Sequence, residues 1–148
     1  MPEKNYSVHF VFDASPGEVF DAVTNVRGWW SENLQGSSRD LHDEFIYRYK
    51  DMHVSRQRLV EVVPGKRVVW LVTEAMLSFV KDQHEWVNTR VVFDISREGD
   101  KTRLVFTHEG LTPSCECYDA CFGGWNHYTA SLEKLIRTKQ GNPDRKPA

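Results

Sequence analysis

The chain has 148 residues and a formal net charge of −2 at pH 7, with acidic and basic side chains interspersed. This length fits one domain, and we predict a single domain over residues 1–141 followed by an exposed tail over residues 142–148. No run of Lys or Arg marks a nucleic-acid binder, and no stretch approaches the ~18 apolar residues of a membrane span. Residues 1–5 lack the apolar core of a signal peptide. We therefore expect a cytoplasmic protein with neither nucleic acid nor a membrane span among its interactions.

The first predicted elements are a strand and a short helix. Large apolar side chains recur at every second position from Tyr6 to Phe12, which is the period of a strand. Ser15 followed by Pro16 and, three residues after Ser15, by Glu18 is a capping box that begins a helix. A second short helical turn is predicted near the paired tryptophans, before a polar loop over residues 35–38.

From Asp43 onward the sequence indicates a series of strands. Short polar turns separate them, so neighbouring strands should be antiparallel, because a parallel connection needs a dozen or more residues. The predicted strands cover residues 43–49, 54–63, 67–73, 86–96 and 102–109. Residues 74–85 are apolar without a clean period, and a strand, an edge or a flap all remain open there.

The longest predicted helix runs from Thr112 to Gly141. Its apolar side chains recur at spacings of three and four, which is the stripe of an amphipathic helix. Thr112 is the candidate N-cap with Pro113 in the first helical position, and Gly141 is the candidate left-handed residue that ends the helix before Pro143. The stripe needs an apolar surface to cover. The sequence therefore predicts an α+β fold in which a curved antiparallel sheet wraps around one long helix and leaves a cleft.

Three cysteines lie close together at the start of this helix, from Cys115 to Cys121. They do not join distant segments, which favours a reducing compartment. Cys117 and Cys121 would share one helical face, and the helix dipole would favour a thiolate at Cys115. A zinc site would add His108 or His127. Because the spacing matches no known zinc pattern, we favour the alternative that Cys121 is a core side chain and the other two are partly exposed thiols.

Gly123 and Gly124 are the remaining motif of the helix. They lack the wider pattern of a phosphate-binding loop, and no cofactor is predicted. We expect them to let Trp125 or the helix backbone come close to the sheet.

His108 is the candidate for acid–base chemistry. It shares a strand face with Leu104 and Phe106, so its ring would point into the cleft and could transfer a proton near neutral pH. The sequence places no carboxylate or nucleophile beside it. The alternative is a histidine that is only hydrogen-bonded to a neighbour, and a noncatalytic protein is the favoured interpretation.

Aromatic side chains are the candidate walls of the cleft, because a ring with one polar tip suits a site for a small apolar ligand. Phe122 and Trp125 on the helix, facing Tyr49 and Phe106 on the sheet, are the preferred set. The predicted ligand-binding residues are Tyr47, Tyr49, Trp70, Phe93, Phe106, His108, Phe122 and Trp125.

Several motifs resemble a known family from about Tyr6 to Gly141. They are the segment Ser15-Pro16-Gly17-Glu18-Val19-Phe20, the pair Trp29-Trp30, residues 60–70, residues 102–111 and the pair Gly124-Trp125. The chain resembles the bacterial SRPBCC proteins, in the branch named for the C-terminal domain of the activator of Hsp90 ATPase. The resemblance implies a helix-grip (START-like, Bet v 1-like) fold and a cavity that holds a lipid-like or other hydrophobic molecule.

Three functions stay open at this point. The first is noncatalytic binding of a small hydrophobic molecule. The second is an enzyme of the cyclase or hydrolase kind, in which His108 or a cleft tyrosine acts on an apolar substrate. The third is a module that contacts a chaperone, which predicts an exposed apolar patch such as residues 76–80. Exposed strand edges would in addition allow a homodimer.

Overall fold

The computed structural model describes residues 4–144, which form a seven-stranded sheet with a long helix across one face. The strands are β1 (Tyr6–Phe12), β2 (Leu34–Gly36), β3 (Glu44–Tyr49), β4 (His53–Val63), β5 (Arg67–Leu77), β6 (Arg90–Glu98) and β7 (Lys101–Glu109). They lie in the order β1-β7-β6-β5-β4-β3-β2, and every neighbouring pair is antiparallel. The helices are α1 (Pro16–Thr24) and α2 (Tyr118–Thr138). The predicted helix-grip α+β fold is confirmed.

The connection between β1 and β2 begins as the sequence predicts. Ser15 Oγ accepts a hydrogen bond from the Glu18 backbone N–H at 3.1 Å, and Glu18 Oε1 accepts one from the Ser15 N–H at 3.4 Å, which completes the capping box of α1. The second helical element is only a 3-10 turn, Val26–Gly28. The predicted polar loop over residues 35–38 is wrong in part, because Leu34–Gly36 pairs with β3 and buries Leu34.

Helix α2 begins later than predicted. The Thr112 hydroxyl lies 3.0 Å from the Ser114 hydroxyl instead of capping a helical N–H, and the chain makes turns until the helix starts at Tyr118. The N–H groups of Glu116 and Cys117, just before α2, are bonded by the Glu85 carboxylate from another loop. The predicted N-cap at Thr112 is therefore wrong.

The end of α2 also differs from the prediction. Lys139 has φ 70° and donates its N–H to Leu135 O at 2.8 Å, so Lys139 and not Gly141 is the left-handed cap. Gly141 serves a different purpose, because a Cβ at that position would collide with Gly28 O and crowd Ser131 O. The glycine lets the chain after α2 pass directly over the 3-10 turn.

The segment between β5 and β6, residues 78–89, is a loop that we call the flap. Strand β5 extends to Leu77, and Trp86 lies in a turn of the flap instead of starting a strand. The Asn88 N–H bonds to Val72 O at 2.8 Å and the Val72 N–H bonds to Thr89 O at 2.9 Å, so the flap returns to β5 before β6 begins. The predicted strand over residues 86–96 is wrong in its first four residues.

The chain after α2 turns back against the sheet. The Asp144 N–H donates to Trp30 O at 3.0 Å, and Asp144 O accepts from the Glu32 N–H at 2.8 Å. Asn142 is exposed, whereas Asp144 is half-buried. The rest of the predicted exposed tail, residues 145–148, lies outside the described residues. Among residues 4–144, no helix is long and apolar enough to cross a membrane.

Candidate functional site

An open cavity of about 370 Å³ lies between the first half of α2 and the sheet. The β3–β4 hairpin forms one side of it and the flap forms another. Rings make up most of the wall. The lining residues are Trp30, Tyr47, Tyr49, Met52, His53, Phe79, Trp86, Ala120, Cys121, Gly124, Trp125 and Tyr128.

Local periodicity explains how α2 and the sheet present their side chains. Cys121, Trp125 and Tyr128 are spaced by four and three residues, so they lie on one face of α2. Tyr47 and Tyr49 are two apart on β3 and face the same side of the sheet. His53 on β4 is the register partner of Tyr49, which brings its ring to the same side.

A cluster of three oxygens forms a polar corner at the cavity wall. The Tyr128 hydroxyl donates to Asp144 Oδ2 at 2.6 Å, the Tyr47 hydroxyl lies 3.1 Å from the same oxygen, and the two hydroxyls are 3.0 Å apart. Burial raises the pKa of Tyr47, and its hydrogen bond with Tyr128 adds to the effect. Burial and the Asp144 carboxylate raise the pKa of Tyr128. Both phenols therefore keep their protons at neutral pH.

His53 also lines the cavity, and a histidine ordinarily changes charge near neutral pH. Its Nε2 lies 2.9 Å from Ser55 Oγ, and its ring meets the edge or face of Tyr47 and Trp86 at centroid distances of 5.0 and 4.6 Å. Burial lowers the pKa of His53 to about 4. The ring is neutral at pH 7.

His108 does not reach the cavity. Its side chain is fully buried, the Trp125 indole N–H donates to its Nδ1 at 3.0 Å, and its Nε2 lies 2.8 Å from Thr89 Oγ1. Burial, with a smaller contribution from His53, lowers the pKa of His108 to about 3. Both ring nitrogens have partners, so this is the hydrogen-bonded histidine that the sequence left as an alternative to a catalytic one.

The predicted wall residues divide into three groups. Tyr47, Tyr49 and Trp125 line the cavity. Phe122 faces away from it, 43% exposed, with its ring edge-on to Tyr6 at 5.5 Å. The other four are fully buried in the core and do not line the cavity: Trp70, Phe93, Phe106 and His108. Ligand binding by any of these residues stays a prediction.

Sequence reasoning did not assign five of the ring-bearing wall residues to the cavity: Trp30, His53, Phe79, Trp86 and Tyr128. Tyr128 had a usable signal, because it lies three residues after Trp125 on the same helical face. The others sit in a loop, at a strand end and in the flap, where no period predicts the direction of a side chain.

The three cysteines are free thiols with different surroundings. Cys115 is half-buried and donates to Gly110 O at 3.3 Å, whereas Cys117 is 1% exposed and Cys121 lines the cavity. The expectation that Cys117 is partly exposed is therefore wrong. Its contact with the Cys121 thiol, together with burial, raises the pKa of Cys117 and keeps it a thiol. Among residues 4–144, no cluster of three or more His, Cys, Asp or Glu side chains is arranged to hold a metal ion.

Two carboxylates join the flap to the start of α2 reciprocally. Glu85 accepts hydrogen bonds from the backbone N–H groups of Cys117 at 2.7 Å and Glu116 at 3.1 Å. Glu116 in turn accepts from the N–H groups of Lys81 at 3.2 Å and Asp82 at 3.0 Å. A carboxylate at a helix N-terminus satisfies free N–H groups and meets the positive end of the dipole. We call this arrangement the latch.

The two glycines of α2 do not bring the helix close to the sheet. A Cβ added at Gly123 or at Gly124 would meet no atom of another segment within 4 Å in the described part of the chain. Gly123 is exposed, and Gly124 lines the cavity. The expectation that they bring the helix backbone close to the sheet is wrong, and Gly124 instead leaves volume in the cavity. The Trp125 ring does contact the sheet, with its centroid 4.7 Å from that of Phe106.

The mouth of the cavity has an apolar rim. Tyr49, Met52 and Phe79 line the cavity and are 39%, 44% and 40% exposed. Of the predicted apolar patch over residues 76–80, only Phe79 lines this cavity. Met76 lines a separate groove, which also holds Arg56 and Glu74.

Comparisons with known proteins agree with the architecture. The family model described as Activator of Hsp90 ATPase homolog 1-like protein matches residues 13–137. The solution structure of the Aha1 dimer from Colwellia psychrerythraea is similar with a TM-score of 0.74 and 18% identity, over 93% of this chain and 99% of that one. The crystal structure of MLL2253 from Mesorhizobium loti has a TM-score of 0.73 and 17% identity, over 91% and 98% of the two chains.

A third solved structure is longer than this chain. DynU16, from the dynemicin biosynthetic locus, has a TM-score of 0.68 and 16% identity, over 98% of this chain but 52% of that one. At these identities the likeness establishes the fold. No curated protein compared with the chain matched it.

Proposed function

The chain belongs to the family of Activator of Hsp90 ATPase homolog 1-like proteins, and from this premise we propose that it binds a small hydrophobic molecule without converting it. The observation that carries the proposal is the cavity of about 370 Å³ with its aromatic wall. Ligand sites of small molecules are typically clefts of roughly 300–1,000 Å³ lined by apolar and aromatic groups. The volume suits a ligand of one or two fused rings or a short acyl chain.

The titratable groups of the wall support binding over catalysis. A general acid and a general base need pKa values near the working pH. Among the described residues at the cavity, His53 has a pKa lowered to about 4, and the pKa values of Tyr47 and Tyr128 are raised. Since His108 is sealed in the core, a cyclase or hydrolase reaction that relies on these side chains lacks a proton carrier at neutral pH.

A pair of adjacent glycines provides the test. Gly124→Leu places a side chain in the cavity, whereas Gly123→Leu places the same side chain on the exposed face of α2. Both replace a helix-interior glycine by a good helix former, so neither loses helix propensity. Each protein would be screened by native mass spectrometry and calorimetry against lipids and aromatic metabolites. We expect ligands that bind the wild type and Gly123→Leu but not Gly124→Leu.

Two outcomes would overturn the proposal. One is that no lipid or aromatic compound binds the wild type at millimolar concentration. The other is that Gly124→Leu binds as tightly as Gly123→Leu, which would place the ligand elsewhere on the surface.

The exposed rim favours a second candidate, contact with a chaperone through Tyr49, Met52 and Phe79. An apolar patch on the surface is a common mark of a protein interface. Purified Hsp90 should then bind the wild type and lose affinity for Phe79→Glu, while Phe122→Glu, an exposed ring away from the cavity, serves as the matched control. Equal binding of both variants would remove this candidate. The same rim could join two copies, and sedimentation at several protein concentrations tests the homodimer.

A further inference from the structure

We infer that the cavity selects an apolar, ring-bearing ligand with a hydrogen-bond donor, a hydroxyl or an ammonium group, and discriminates against carboxylates. This inference rests on the proposed function and narrows its ligand class. It follows from where the protons lie in the polar groups of the wall: Tyr47, Tyr128 and His53.

Both hydroxyl protons of the polar corner are already used. Tyr128 donates to Asp144 Oδ2 at 2.6 Å. Tyr47 lies 3.1 Å from the same oxygen and 3.0 Å from the Tyr128 hydroxyl, and both of these are acceptors for its proton. The hydroxyl oxygens keep lone pairs. The corner therefore presents acceptors next to a negative charge.

The proton of His53 is located by its neighbours. Gln57 is fully buried, and its amide nitrogen is satisfied when it donates to Ser55 O at 3.2 Å and Phe45 O at 3.3 Å, with its oxygen accepting from Ser55 Oγ at 2.6 Å. Because Ser55 donates to Gln57, Ser55 must accept from His53 Nε2 at 2.9 Å. The neutral ring then carries its proton on Nε2, and Nδ1 is left as an acceptor, because the hydrogen bond of this side chain to residues 4–144 is made through Nε2.

The other donors of the wall are the Tyr49 hydroxyl, which lies at the exposed rim, the Cys121 thiol and two indole N–H groups. The indole N–H groups of Trp30 and Trp86 are buried and make no hydrogen bond to residues 4–144. None of the described lining residues is Lys or Arg. A carboxylate ligand would find no cation in this wall and would approach Asp144, whereas a hydroxyl or ammonium group would meet Tyr47, Tyr128 or His53 as an acceptor.

Calorimetry with four naphthalene ligands that differ only in one substituent tests this selection. The probes are 2-naphthol, 2-(aminomethyl)naphthalene, 2-methoxynaphthalene and 2-naphthoate. We expect at least one of the two donor-bearing probes to bind about 5- to 10-fold more tightly than the methoxy compound, the usual size of one added hydrogen bond, and 2-naphthoate to bind most weakly. The two donor-bearing probes distinguish a hydroxyl ligand from an ammonium ligand.

Variants locate the acceptor. The preference is the affinity for the donor-bearing probe divided by the affinity for 2-methoxynaphthalene. It should fall to near one in at least one of Tyr47→Phe, Tyr128→Phe and His53→Phe. It should persist in Tyr118→Phe, because Tyr118 lies outside the cavity wall. The preference is a ratio measured within one variant, so a partly unfolded preparation does not alter it.

The outcomes separate this inference from the proposed function. Binding of all four probes with no preference, or strongest binding of 2-naphthoate, would overturn the donor selection and leave a hydrophobic binder. A preference that survives in all three cavity variants would also overturn it. If none of the four probes binds and the wider screen also fails, the proposed function falls and this inference falls with it.

Discussion

The indole N–H of Trp125 donates to Nδ1 of His108 at 3.0 Å in the core. Because Nδ1 accepts, the neutral ring carries its proton on Nε2, which donates to Thr89 Oγ1 at 2.8 Å. The Thr89 hydroxyl in turn donates a hydrogen bond to Trp86 O at 2.6 Å. One chain of hydrogen bonds thus connects α2, β7 and the flap beneath the cavity, and it needs His108 to be uncharged.

The stability of the fold should therefore depend on pH through His108. The pKa of this ring is about 3 in the folded chain against an ordinary 6.5, so between these values the unfolded chain binds a proton that the folded chain does not. The contribution of His108 to the free energy of unfolding is then fully present above pH 6.5 and falls, by up to about 1.4 kcal/mol per pH unit, as the pH drops towards 3. His53, whose pKa is lowered to about 4 by burial, adds a slope of the same sign between pH 6.5 and 4. Urea denaturation at pH 7.5, 6 and 5 measures the slope.

Two variants isolate that contribution. His108→Gln should be less stable at pH 7.5 but show a shallower slope, since the titrating group is gone. Thr89→Val should also be less stable, by about 1–2 kcal/mol, yet keep the slope, because burial is the main cause of the lowered pKa. An unchanged slope in His108→Gln would contradict the assignment.

Asp144 should stabilise the fold although it lies far along the chain from β3. Asp144→Ala removes the acceptor of the Tyr128 hydroxyl and leaves Tyr47 with one partner fewer. We expect a loss of about 1–2 kcal/mol in the free energy of unfolding. Asn142→Ala, at an exposed side chain in the same segment, is the control. Equal stability of the two variants would show that the polar corner contributes nothing.

The latch should control how fast the flap opens. Glu85→Ala frees the N–H groups of Glu116 and Cys117, which should cost about 0.5–2 kcal/mol, as loss of a helix cap usually does. Hydrogen exchange should accelerate in the flap and in the first turn of α2, while β1 and β7 keep their protection. Glu109→Ala removes an exposed charge at the end of β7 and should leave flap exchange unchanged.

Replacing Gly141 or Gly123 by alanine should change the free energy of unfolding in opposite directions. Gly141→Ala drives a methyl group into Gly28 O, so we expect a loss of about 1–3 kcal/mol. Gly123→Ala adds a methyl group in open space within a helix and should gain up to about 1 kcal/mol. Thermal denaturation of both variants tests this. A neutral Gly141→Ala would mean that the segment after α2 does not pass over the 3-10 turn as described.

The sequence predicted the architecture because its periodic segments carry local information. Alternation from Tyr6 to Phe12 and the capping box at Ser15 depend on neighbours a few residues apart, and both were confirmed. The start of α2 was misplaced, since its N–H groups bond to Glu85 from the distant flap. No pattern within residues 112–118 contains that partner.

The cavity wall was harder to predict for a related reason. A ring on the inner face of the sheet is either buried in the core or exposed in the cavity wall. Which of the two applies depends on where α2 crosses the sheet. Trp70 and Tyr47 are both buried, but Trp70 stacks against Trp29 and Trp30 in the core while Tyr47 lines the cavity. The third oxygen of the polar corner, from Asp144, comes from a segment with no periodic signal.

The tryptophans should make ligand binding visible in the intrinsic fluorescence of the protein. Its five indoles form one continuous series, with ring centroids 6.1 Å apart for Trp29 and Trp70, 6.2 Å for Trp29 and Trp30, 5.0 Å for Trp30 and Trp125, and 5.8 Å for Trp125 and Trp86. At such separations excitation migrates from ring to ring before it is emitted. Occupancy of the hollow beside three of these indoles would thus change the emission of the whole set, without any attached dye.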